Sequence, residues 1–207
     1  MKQLLILSVL FFSQGLAAPK PQPIPSDADV AWVDQRLGEA RDILLPPAVE
    51  FPSVVYRSSR DAFVGAPDSY FAIKFGTSAA DFLEGAEARL LTVGGGSLRT
   101  QLIAQRAADR EAPLSALLLR VNIRRHTFTA TNCRGLKKLL DDFSRMVLPI
   151  VPPMLLLPPA LHATSHRVMI NVPGQSLDAG FNNEESALIR WALATLGTLQ
   201  TCASPIR

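Results

Sequence analysis

His162 and His166 stand four residues apart, a spacing that on a helix turns two imidazoles toward one metal ion. The chain leaves little room for that helix. Pro158-Pro159 precede the pair, an apolar alternation begins just after it, and no third ligand is close in sequence. The pair is a weak metal candidate, and neither a metal nor a cofactor is expected. The third histidine, His126, follows Arg124 and Arg125. Arginine offers paired donors that match a carboxylate or a phosphate, so Arg124, Arg125 and His126 form a candidate contact for an anion or a protein partner.

Other chemistry-bearing residues have simpler explanations. Ser176 in the GQSLDAG run has the wrong glycine spacing for a nucleophile turn. The glycines at 94–96, followed by Ser97, lack the lysine of a phosphate loop and read as a turn. Asp141-Asp142 sit among Lys137, Lys138 and Arg145, where ion pairs along a helix account for them. Glu184-Glu185 sit at a helix start, where the helix dipole favours acids. The sequence contains no H-E-x-x-H, G-x-S-x-G, S-x-x-K or C-x-x-C motif.

Cys133 and Cys202 are the only cysteines. One precedes a helical stretch and the other follows one. In an exported protein such a pair is expected to form a disulfide, tying the start of one helix to the end of another. Two helices side by side under that tie run antiparallel.

Export itself is expected from residues 1–17, MKQLLILSVLFFSQGLA. Lys2 supplies a positive start and Leu4 to Phe12 an apolar core of about nine residues, too short for a membrane span of about 20. Cleavage after Ala17 places Gly15 and Ala17 at the two positions that must be small. The excess of arginine over lysine, with abundant alanine and leucine, suggests a bacterial source and a periplasmic or secreted location. Residues 18–27 form a proline-rich spacer, and 28–207 a single globular domain.

Of the 207 residues 48% are hydrophobic and 19% charged, which excludes a disordered chain. Two cysteines exclude a disulfide-dense miniprotein. The formal charge of +3 falls to +2 when Lys2 leaves with the leader. No long basic stripe with interleaved aromatics is present, so a nucleic-acid partner is not expected.

The elements that must position these residues follow from periodicity. Ser26 and Asp29 make a capping box, and Val30, Val33, Leu37, Ala40 and Leu44 recur at helical spacing until Pro46-Pro47. Strands are expected at 51–60, Tyr70–Phe75, Leu117–Ile123, Thr127–Thr131 and Arg167–Val172, with Arg124–His126 as the hairpin tip where the apolar parity changes; the alternative there is one long strand with a bulge. Residues 77–104 fit either a helix pair or a hairpin. Helices are expected from Gly135 to Val147 and after Asn182, whose side chain pairs with Glu185 as a cap. Between them, 146–161 is uncharged and holds five prolines. It reads as an extended loop, or as an apolar lip in which Met154, Leu155, Leu156 and Leu157 meet a partner.

The expected fold is a single α+β domain, an antiparallel sheet of four or more strands packed against two to four helices. The expected function is an exported non-catalytic binding, inhibitor or envelope-interaction protein, with a protein partner in the cell envelope and no span in the mature chain. The alternative is a periplasmic or secreted hydrolase whose site assembles from distant residues around one of the histidines.

Overall fold

A computed structural model describes residues 23–45, 53–59, 68–78, 81–147, 165–172, 175–181 and 186–204. The leader, the first half of the proline spacer, Met154–Leu157, His162 and residues 182–185 lie outside the described residues.

Among the described residues six strands form one antiparallel sheet: β1 (Ser53–Ser59), β2 (Ser69–Lys74), β3 (Glu87–Val93), β4 (Ile123–Thr129), β5 (Ser165–Val172) and β6 (Gln175–Phe181). Their spatial order is β4-β3-β2-β1-β5-β6, so β4 and β6 are the edges. Among the described residues five helices accompany them: α1 (Asp27–Leu44), α2 (Leu98–Ala108), α3 (Leu114–Leu118), α4 (Leu136–Ser144) and α5 (Ala187–Ala203). The chain is a single α+β domain.

Helices cover both faces of the sheet. On one face, Val54, Tyr56, Phe71, Ile73, Ala88, Leu90, Phe128, Val168 and Ile170 pack against α4 and α5 through Leu136, Leu140, Ile189, Trp191 and Leu199. On the other, Val55, Tyr70, Leu91, Val93 and Met169 pack against α1, α2 and α3 through Val33, Ala40, Leu98, Leu102 and Leu117. Period-two alternation assigns the faces correctly but leaves both of them apolar. Each fully buried leucine contributes about 1.5–3 kcal/mol relative to exposure.

The helix starts are built from side-chain oxygens. Ser26 and Asp29 form the expected capping box at α1. Ser97 caps α2 by accepting from the Thr100 amide, and Ser186 caps α5 by accepting from the Ile189 amide. Gly135 precedes α4 at φ 91°, in the left-handed region that glycine enters without strain.

α4 and α5 lie antiparallel. Gly135 approaches Thr198 at one end, while the Phe143 and Trp191 rings meet at 4.5 Å near the other. The Trp191 indole N–H donates to the Leu139 carbonyl at 2.7 Å, which satisfies the one polar atom of a buried ring. Cys133 and Cys202 form a disulfide across this pair, with Cα atoms 5.5 Å apart.

Three sequence expectations are corrected. Leu117–Ile123 is not a strand. Leu114–Leu118 is a short helix, Leu119 is 88% exposed, and the chain turns before β4 starts at Ile123. Its alternating leucines arise because Leu117 and Val121 are buried from different local conformations. Consequently Arg124–His126 is no hairpin tip but the first half of β4. Residues 77–104 are neither a helix pair nor a hairpin: β3 runs through a turn, with Gly95 and Gly96 at φ 80° and 121°, directly into α2. Strand β6 was not anticipated, because its QSLDAGF sequence lacks the β-branched residues that mark strands.

Candidate functional site

The edge strand β4 is held at both ends. Gln101, on α2, donates from its amide nitrogen to the Gly94 carbonyl at 2.6 Å. Its amide oxygen accepts the Asn122 backbone N–H at 3.0 Å. One side chain thereby joins the end of β3 to the start of β4. At the far end, the Asn132 side chain accepts the Thr129 N–H at 2.7 Å, and the Asn132 and Cys133 amides donate back to the Thr129 carbonyl. This turn leads straight into the disulfide.

Between these clamps the strand alternates. Phe128 belongs to the face under α4 and α5, so Arg124 and His126 lie on that face as well. Ile123 packs on the opposite face, which Arg125 and Thr127 share. Arg124 and Arg125 therefore point to opposite sides of the sheet, and the three residues do not close around one anion. His126 is half-buried, with its ring stacked near that of Phe128 at 6.0 Å.

Both arginines are exposed, and neither has an ion-pair partner among the described residues. Arg134 shares that state among the described residues. Arg57, Arg89, Arg99, Arg110, Arg120, Arg145 and Arg167 each pair with an acid. Arg36 and Arg106 each lie 4.4 Å from the Trp32 ring centre.

The remaining sequence candidates are structural. His166 is 2% exposed on β5, with Nδ1 2.8 Å from the Tyr56 hydroxyl, in the core rather than in a cleft. It stands on a strand, so the helical metal spacing with His162 does not arise. No group of three or more metal-ligating side chains occurs among the described residues. Ser176 lies exposed on β6. The glycine-rich turn holds no open anion site. Ser97 takes the Thr100 amide of α2, and the buried Asp68 takes the Leu98 amide at 2.9 Å. Asp68 also accepts from Tyr70 at 3.0 Å, and burial together with that carboxylate raises the Tyr70 pKa well above its usual range. Asp141 and Asp142 pair with Arg145 and Lys138 one turn away.

A hollow of about 580 Å³ lies between Pro23, Pro25 and the outer side of α2, including Arg99, Ile103 and Ala108. Its one charged group, Arg99, is already held by a bidentate contact with Asp34.

No family model matches this chain, and the comparisons with curated proteins and with solved structures found no match.

The sequence pointed to Arg124, Arg125 and His126 but not to their setting. The Gln101 clamp was missed because its partners, Gly94 and Asn122, are backbone groups on two other segments.

Proposed function

We propose that this chain is an exported, non-catalytic binding module that holds an acidic protein segment on Arg124 and Arg125. One observation carries the reading: two adjacent arginines stand exposed, with no ion-pair partner among the described residues, on an edge strand clamped at both ends, in a domain where seven other arginines each pair with an acid. Desolvating a charge is repaid only by a partner of opposite sign, so a surface that leaves two guanidinium groups unpaired is complementary to carboxylates. Support for export comes from the leader pattern in residues 1–17 and from the disulfide, which belongs to an oxidising compartment. An envelope location fits the same features.

The non-catalytic part of the reading rests on the two described histidines. His166 is engaged with Tyr56 in the core, and His126 stacks beside Phe128 with no acid or hydroxyl on its ring among the described residues.

The test is fluorescence anisotropy of labelled Thr-Val-Glu-Glu-Val-Thr against the mature protein, with Thr-Val-Lys-Lys-Val-Thr as control. The acidic peptide binds, the basic one does not, and R124E/R125E weakens binding by about tenfold or more, since two attractive contacts become repulsive. Equal affinity of the wild type and the variant, or no binding of the acidic peptide, overturns the reading. So does ester hydrolysis that disappears on His126→Ala.

A further inference from the structure

We infer that the acidic partner enters as a seventh strand, paired backbone to backbone along β4; this rests on the binding reading above and specifies its geometry. Among the described residues β4 ends the sheet, and its seven residues pair with β3 on one side only, from Ile123 opposite Val93 to Thr129 opposite Glu87. In an antiparallel ladder, the backbone groups of alternate residues face alternate neighbours. Two observations fix the phase. The Thr129 N–H and carbonyl are taken by the Asn132 turn, away from β3. The Gly94 amide, following β3, donates to the Asn122 carbonyl at 2.8 Å, toward β3. Even-numbered residues of β4 therefore bond to β3, and the amides and carbonyls of Ile123, Arg125 and Thr127 face outward.

Among the described residues the edge from Ile123 to Thr127 is thus open at three residues and bounded at both ends. The Asn132 turn closes it after Thr127, and the Gln101 clamp fixes it before Ile123. A strand laid there makes main-chain hydrogen bonds for affinity, while its alternating side chains read the two sheet faces.

The occupant follows from the charge pattern. Arg124 and Arg125 point to opposite faces, so two carboxylates reach them only from consecutive residues of an extended segment, one on each side. Acids two residues apart share a face and leave one guanidinium unmet. A second copy of this edge is a poor partner, because β4 against β4 crowds four guanidinium groups along one seam, and like charges across a seam destabilise it. The same arginines that blunt the edge against self-association select a foreign acidic strand.

The experiment uses the mature protein and four peptides. Thr-Val-Glu-Glu-Val-Thr is compared with two forms N-methylated at alternate residues, one in each frame, and with an analogue bearing Glu-Thr-Glu. Strand addition requires that one methylated frame loses at least about tenfold in affinity while the other stays within about twofold, since only one frame offers its N–H groups to β4. The Glu-Thr-Glu peptide binds more weakly than the Glu-Glu peptide. Thr127→Pro, which removes an outward N–H but leaves both arginines and the β3 ladder in place, also weakens binding. If both frames bind like the unmodified peptide, strand addition is overturned; the binding reading then still stands provided that R124E/R125E weakens the interaction by about tenfold or more. If the unmodified peptide does not bind at all, both fail.

Discussion

Replacing both half-cystines, as Cys133→Ala with Cys202→Ala, tests how the domain is held together. The bridge closes a segment of 69 residues that includes α4, β5, β6 and most of α5. Cross-linking a loop of that length removes chain entropy from the unfolded state worth about 4 kcal/mol at 25 °C in the loop-closure model. Cys133 is fully buried and Cys202 half-buried, so the lost sulfur contacts add a small term of the same sign. For a domain of this size each kcal/mol moves the midpoint by about 2–4 °C, which gives an expected fall in Tm of about 10–15 °C. Differential scanning calorimetry of the wild type and of the double variant measures it, with the wild type under reductant as a second route to the same state. The variant and the reduced wild type should unfold at nearly the same temperature. A fall of less than about 3 °C would refute the reasoning, because the unfolded chain would then gain little freedom when the tie is cut.

The two-sided core predicts that Leu140→Ala in α4 and Leu102→Ala in α2, both fully buried but under opposite faces of the sheet, each cost about 2–5 kcal/mol; urea unfolding of the pair would contradict the layered packing if either change fell within about 0.5 kcal/mol of wild type. The two helix-associated glycines predict opposite signs. Gly38→Ala, exposed inside α1 with open space at its Cβ, stabilises by about 0.5–1 kcal/mol, whereas Gly135→Ala, at φ 91°, destabilises by about 1–2 kcal/mol, as denaturant midpoints will show. The Arg110 guanidinium and the Ser26 hydroxyl hold the Asp29 carboxyl far below the ordinary carboxylate range. A depressed pKa gives stability that is present above the unfolded-state value and lost as pH falls, so the deficit of Asp29→Asn is largest near neutrality and shrinks below about pH 4. A deficit that does not change with pH would mean that the carboxylate charge plays no part.

Much of the fold was legible because its signals are local. The Ser26–Asp29 box, the stripe from Val33 to Leu44 and the stripe from Leu188 to Leu199 mark α1 and α5 within single turns of helix. Tyr70–Phe75 and Arg167–Val172 mark β2 and β5 by alternation. What failed was arbitration between periods over short apolar runs. In 117–123 the residues Leu117, Leu119, Val121 and Ile123 alternate as a strand would, yet Leu118 is buried and Leu119 exposed, the reverse of strand order. Five residues of helix carry too few turns to show their own period.

That one misreading decided the candidate site. With Leu117–Ile123 taken as a strand, the parity change at Phe128 calls for a turn or a bulge, and a turn gathers Arg124, Arg125 and His126 into one cluster able to grip one anion. Once 114–118 is helix, the parity change needs no turn, the strand starts at Ile123, and the same residues separate onto two faces. The chemistry then changes in kind. Clustered arginines select a compact anion such as phosphate, whereas arginines alternating along an open edge select an extended chain with a carboxylate on each side. Residue types were readable from the sequence. Their relative direction was set by a five-residue helix nine residues upstream of Thr127, held against the sheet by Leu114, Leu117 and Leu118, and by Gln101 reaching from α2 to fix where β4 begins. No local pattern within 123–129 encodes either constraint.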